Sequence, residues 1–88
     1  MKMIIAILRD VDHEPVSRAL TSGGFRVTLI ASTGGFLRRG STTLLVGLED
    51  EEVDGALSLV RGNLSPPSDP GQKRATIFVL PVDHCIHI

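Results

Sequence analysis

Residues 25–48 run Phe25-Arg26-Val27-Thr28-Leu29-Ile30-Ala31-Ser32-Thr33-Gly34-Gly35-Phe36-Leu37-Arg38-Arg39-Gly40-Ser41-Thr42-Thr43-Leu44-Leu45-Val46-Gly47-Leu48, two β-rich runs on either side of a glycine-rich, hydroxyl-rich and basic turn. In the first run, alternation puts Phe25, Val27, Leu29 and Ala31 on one face and Arg26, Thr28 and Ile30 on the other. The second run, 42–48, is expected to return beside the first as a hairpin.

The flanking segments decide what kind of sheet this hairpin joins. Residues 2–9 form a nearly continuous apolar run rich in β-branched residues, the pattern of a central strand covered on both faces. A helix is predicted over about 13–23, with Asp12 as a candidate cap, Pro15 in the first turn and Gly23-Gly24 at the end. On the other side, the acidic run 49–52 opens a second helix that carries Val53, Ala56, Leu57 and Val60 at helical spacing. The last strand runs from Arg74 to Val82 and is stopped near Pro81. The order is strand, helix, strand, strand, helix, strand. It predicts an α+β fold of the ferredoxin-like βαββαβ type, a four-stranded antiparallel sheet with two helices on one face.

The 88 residues suffice for one modest core, so residues 1–88 are expected to form a single domain. Its turn-rich segment at about 62–73, with Pro66, Pro67, Pro70 and Gly71, is expected to be a flexible loop. The far face of the sheet still carries apolar residues from the first strand together with Ile30 and Leu45. A chain of this length cannot cover that face itself, which predicts an oligomer whose sheets face each other.

Composition narrows the function. A net charge of -1 and a pI near 6.2 argue against general binding to nucleic acid or to a membrane surface. The apolar start is too short for a secretory core, and no membrane span is visible, so a cytoplasmic protein is expected. Cys85, the single cysteine, excludes an internal disulfide framework and fits a reducing compartment.

The central turn is the place most suited to chemistry. Gly34 and Gly35 let the backbone present bare N–H groups to an anion, Arg38 and Arg39 add charge, and Ser32, Thr33, Thr42 and Thr43 add hydroxyls. Phe36 and Leu37 do not suit a plain solvated turn. Either they tuck into the protein's own core or a subunit contact, or they form a pocket for an anionic ligand with a flat apolar part, such as a nucleotide. Arg26 and Thr28, two apart on one strand face, can together hold a phosphate or a base edge; the competing reading is a solvated strand face. Gly47 marks a close approach by another backbone or a ligand.

With these residues in place, the chain resembles the PII-like cyclic di-AMP receptor family of bacteria. The resemblance rests on Met1-Lys2-Met3-Ile4-Ile5-Ala6-Ile7, on Thr33-Gly34-Gly35-Phe36-Leu37-Arg38 with Gly40 and Thr42-Thr43, and on Phe78-Val79-Leu80-Pro81-Val82-Asp83. It implies a homotrimer of ferredoxin-like subunits, related to nitrogen-regulatory PII proteins and to CutA. Such a protein binds cyclic di-AMP in clefts between subunits, acts in signal transduction, and neither catalyses a reaction nor carries a cofactor. It further implies that Arg26 and Thr28 contact base and phosphate, that Gly35, Phe36 and Leu37 wrap the adenine, that Gly47 gives close backbone approach, and that Phe78 lines the pocket from the last strand. Relatives often carry asparagine where this chain has Gly24 and Ser41, so at Ser41 a hydroxyl takes the place of an amide. The 62–73 segment is also much shorter than the loop of well-known members, which is thought to signal ligand occupancy to partners; for this chain the resemblance leaves room for a protein target of unknown identity. The alternative is a PII- or CutA-like trimer that binds another nucleotide or a metal ion.

Two further functions are weaker. Acylphosphatases share the fold but need an asparagine to orient water, and the single asparagine here, Asn63, lies beside the 62–73 loop. Asp83 and His84 are neighbours on an extended end and point apart, which does not suit an acid–base pair. His84, Cys85 and His87 have the chemistry of zinc or copper ligands, but one tail does not complete a site, and no metal is expected.

Overall fold

The computed structural model describes residues 1–31, 40–67, 71 and 73–88. The chain forms β1 (Lys2–Arg9), α1 (Asp10–Ser22), β2 (Arg26–Ala31), β3 (Ser41–Leu48), a short 3-10 turn (Asp50–Glu52), α2 (Val53–Gly62) and β4 (Ala75–Pro81). The strands make one sheet in the order β2-β3-β1-β4 with every neighbouring pair antiparallel. This is the predicted α+β sandwich. β1 is central, as expected, and the 25–48 stretch does return on itself, with Arg26 opposite Gly47 and Ala31 opposite Thr42.

Strand alternation sorts the side chains into two layers. Ile4, Ala6 and Leu8 of β1 and Leu44, Val46 and Leu48 of β3 are buried against Val16 and Leu20 of α1 and Ala56 and Val60 of α2. Phe25 and Val27 pack onto this core from the β2 side and Ala75 and Ile77 from the β4 side. The helices therefore lie on one face. On the other face the registers align three rows across the sheet: Arg26-Gly47-Met3-Leu80, Thr28-Leu45-Ile5-Phe78 and Ile30-Thr43-Ile7-Thr76. Ile30, Phe78 and Leu80 on this open face are 43%, 50% and 39% exposed, and Met3, Ile5 and Ile7 are half-buried. The expectation that both faces of β1 are covered thus holds on the helix side alone within one chain.

The ends of α1 differ in how much they owe to local sequence. At the C-terminal end, Gly24 takes φ of 92°, a conformation open to glycine, while its N–H donates to the Thr21 carbonyl and that of Phe25 to the Leu20 carbonyl. This is the Schellman closure, and Phe25 packs against the buried cluster to which Leu20 belongs. At the N-terminal end the helix begins at Asp10, three residues before the predicted start, and Pro15 falls in its second turn. Arg9 occupies the cap position without a capping side-chain bond, and the Asp10 N–H donates to the carbonyl of Gly40 at 2.8 Å. A carbonyl thirty residues away does the work that sequence reasoning assigned to Asp12. The second helical segment starts on a reciprocal Glu49–Glu52 capping box and ends at Gly62, so Arg61 and Gly62 are helical rather than part of the following loop.

Candidate functional site

The open face of the sheet carries the candidate residues that fall within the described structure. Arg26 and Thr28 project from it side by side, and both are exposed. Arg26 is directly opposite Gly47, which is also exposed, so its register partner on β3 presents no side chain. Among the described residues Arg26 has no ion-pair partner. A β-carbon added at Gly47 would meet only the end of Met1, at 4.0 Å. The chain's own packing does not require a glycine there, although glycine inside a strand costs roughly 0.5–1 kcal/mol relative to alanine.

Phe78 lies in the same row as Thr28 but on the opposite edge of the sheet. Three interstrand steps of about 4.8 Å separate them, roughly 14 Å in all. Within a single chain the two are therefore not neighbours in one compact pocket. Each edge strand leaves apolar side chains uncovered on both of its faces: Leu29 and Ile30 on β2, and Phe78, Val79 and Leu80 on β4.

Ser41, the first residue of β3, is half-buried opposite Arg9. Its neighbours are fixed on both sides, because the Gly40 carbonyl accepts the Asp10 N–H and the Thr42 hydroxyl donates to Asp10 Oδ1 at 2.5 Å. This corrects the reading of Thr42 and Thr43 as free donors beside the turn. Both are 6% exposed and point to opposite faces; Thr42 is occupied by Asp10, and Thr43 Oγ1 is buried without a partner among the described residues. Gly35, Phe36 and Leu37 lie outside the described residues.

Asp12, expected from the sequence to be a helix cap, has a different role in the structure. Asp12, fully buried, accepts hydrogen bonds from Arg9 Nη2 at 2.8 Å and Nε at 3.1 Å and from the Ser65 N–H at 2.9 Å. Arg9 also donates to the carbonyls of Ser65 at 2.6 Å and Pro66 at 3.3 Å. Burial pushes the Asp12 carboxyl up, but the Ser65 backbone and hydroxyl and the Arg9 guanidinium outweigh it and hold the group below its ordinary range. An Arg-x-x-Asp pair at a strand–helix junction is the only local signal, and its partners at 65 and 66 are remote in sequence.

Two other places were weighed as sites. Cys85 Sγ and His87 Nε2 are 3.6 Å apart in the exposed segment after β4, and among the described residues no group of three possible metal ligands forms. A groove of about 320 Å³ lined by His13, Glu14, Ser17, Arg18 and Leu29 runs along α1 and the edge of β2. Its two opposite charges are paired with each other, Arg18 Nη2 to Glu14 Oε1 at 2.9 Å. Among the described residues, no helix is long and apolar enough to cross a membrane.

Comparison with known proteins identifies the fold and the family. A solved structure described as a functionally unknown protein from Pediococcus pentosaceus ATCC 25745 superposes with a TM-score of 0.78 and 32% identity, covering 99% of this chain and 96% of that one. Residues 1–69 match the family described as cyclic-di-AMP receptor, a span that takes in Arg26, Thr28, Ser41 and Gly47 and stops before Phe78. The match spans more than half of the chain, which therefore belongs to the cyclic di-AMP receptor family.

Proposed function

We propose that this protein is a signal-transduction receptor that binds cyclic di-AMP, or a closely related adenine nucleotide, in clefts between the subunits of a homotrimer. The observation that carries this reading is the separation of the candidate residues onto the two edges of one sheet. A purine held by Arg26 and Thr28 is closely packed by an aromatic from β4 when a second copy brings its Phe78 to the β2 edge. A head-to-tail contact of β2 on β4 is heterologous, and it closes as a ring when the rotation allows. The apolar side chains exposed on both faces of both edges are the surface such a contact would bury.

In this arrangement the Arg26 guanidinium takes a phosphate oxygen and the Thr28 hydroxyl a second oxygen or the base edge. Gly47 lets the ligand lie close to the β3 backbone, and the Ser41 hydroxyl supplies a donor at the foot of the turn. Gly35, Phe36 and Leu37 enclose the adenine. None of these roles moves a bond, which fits a family of receptors rather than enzymes, and the readout passes to a protein target of unknown identity.

Calorimetric titration with cyclic di-AMP, cyclic di-GMP, ATP and AMP, on protein sized by light scattering, tests both halves. Saturable heat with cyclic di-AMP on a particle three times the 9.4 kDa chain mass is expected. A 9.4 kDa particle would remove the cleft, and a stronger response to another nucleotide would reassign the ligand.

A further inference from the structure

The first turn of α1 is tied to two segments that are far apart in sequence. Asp10 holds the start of β3: its N–H donates to the Gly40 carbonyl at 2.8 Å and its carboxylate accepts the Thr42 hydroxyl, which brackets Ser41. Two residues on, the buried Asp12 carboxylate accepts the Ser65 N–H at 2.9 Å and both Arg9 contacts, while Arg9 grips the carbonyls of Ser65 and Pro66. Arg9 is itself the register partner of Ser41. The foot of the candidate ligand site and the 63–67 segment after α2 therefore share one support of four consecutive residues, Arg9 to Asp12.

We propose that Asp10, Arg9 and Asp12 are positioning residues that couple the site foot at Gly40–Thr42 to the 63–67 segment, so that ordering one orders the other. The physical basis is that both anchors act on the same helix turn. The Asp10 N–H and the Asp12 carboxylate keep their partners only while residues 9–12 hold one geometry, and a buried carboxylate deprived of its partners is costly, so the turn resists partial release. Coupling of this kind is a free energy shared between two sites and acts in both directions. Its link to cyclic di-AMP rests on the proposed function; the coupling itself does not.

Amide hydrogen exchange, read by NMR on the full chain without ligand, tests the coupling at the two reporter groups, the N–H of Asp10 and the N–H of Ser65. Thr42→Val removes the hydroxyl that holds Asp10 and touches nothing at 63–67; Asp12→Asn disturbs the Ser65 anchor and leaves Thr42 in place. Each is expected to speed exchange at the remote reporter as well as the near one, by about fivefold or more, the low end of a measurable coupling. Thr42→Ser, which keeps the hydroxyl, should restore slow exchange at Ser65. If each variant affects only its own reporter, the proposal is overturned. Should Asp12→Asn fail to fold, Arg9→Lys keeps the charge, breaks the two-pronged contact and takes its place. Adding cyclic di-AMP to the wild-type protein then gives a second reading: slower exchange at Ser65 is expected, and binding without that slowing defeats the coupling. Absence of binding counts against the proposed function, while the ligand-free exchange still decides the coupling.

Discussion

The two faces of this sheet are made of similar residues and put to different ends. Toward the helices, Leu44 is completely buried and Ile4, Leu8 and Val46 are 1% exposed. On the opposite side, Leu45 and Ile5 are only half-buried, and Phe78, in their row, is half exposed. Leu44 and Leu45 are adjacent leucines on one strand, so composition does not distinguish them; the direction in which each points does. The covered face holds the chain together, whereas the open face leaves apolar surface, an arginine and a bare glycine uncovered within one chain. Large exposed apolar patches on a small domain mark interaction surfaces.

The largest effect that can break this contrast is a matched pair of truncations. Leu44→Ala is expected to lower stability by about 2–5 kcal/mol, the range for a fully buried leucine, and Leu45→Ala by less than half as much in chains kept dilute enough to remain apart. Chemical denaturation of the two variants measures it, and equal losses would mean that the open face is as much a part of the subunit core as the covered one.

Arg26→Ala probes the open face by function rather than stability. The side chain is exposed and the chain's own structure does not depend on it, so the melting temperature should stay put while cyclic di-AMP affinity falls by about 1.5–3 kcal/mol, the range for a hydrogen bond to a charged group. Arg39→Ala should cost less, because the proposed site gives Arg39 no contact with the ligand. Equal losses from the two would point to a diffuse positive patch in place of a defined site.

Acid is expected to act on the covered side, through Asp12. A carboxyl whose folded pKa is depressed contributes stability that is present above its unfolded value, ordinarily 3.8, and is lost as pH falls through the folded value. The melting temperature should therefore drop on acidification below about pH 4, more steeply in the wild-type protein than in Asp12→Asn. Parallel curves for the two proteins would show that the Arg9-Asp12-Ser65 contacts add no net stability.

The smallest change is Gly47→Ala. With only the end of Met1 at 4.0 Å from the new methyl group, the isolated fold should gain up to about 0.5–1 kcal/mol from a less flexible unfolded chain. Ligand affinity or assembly should weaken at the same time. A gain in stability with binding and assembly intact would show that no other molecule comes close to the sheet at this point.

What the sequence determined by itself is whatever depends on near neighbours along the chain. The period-two pattern of Phe25 to Ala31 assigned Arg26 and Thr28 to one face, and the register bears out that assignment, because alternation is a local property of an extended backbone. The helical spacing of Val53, Ala56 and Val60 and the Gly23-Gly24 stop were legible for the same reason: each is fixed within one or two turns. Only the tertiary structure decided the start of α1, set by the Gly40 carbonyl, and the role of Asp12, set by Ser65. It also decided that adjacent threonines face opposite ways, Thr42 toward Asp10 and Thr43 into the open layer, and that Thr28 and Phe78 stand at opposite edges of one sheet. These facts follow from strand order and from hydrogen bonds between segments 30 to more than 50 residues apart. Buried polar groups must find partners wherever the fold brings them, and no local pattern encodes which distant group that will be.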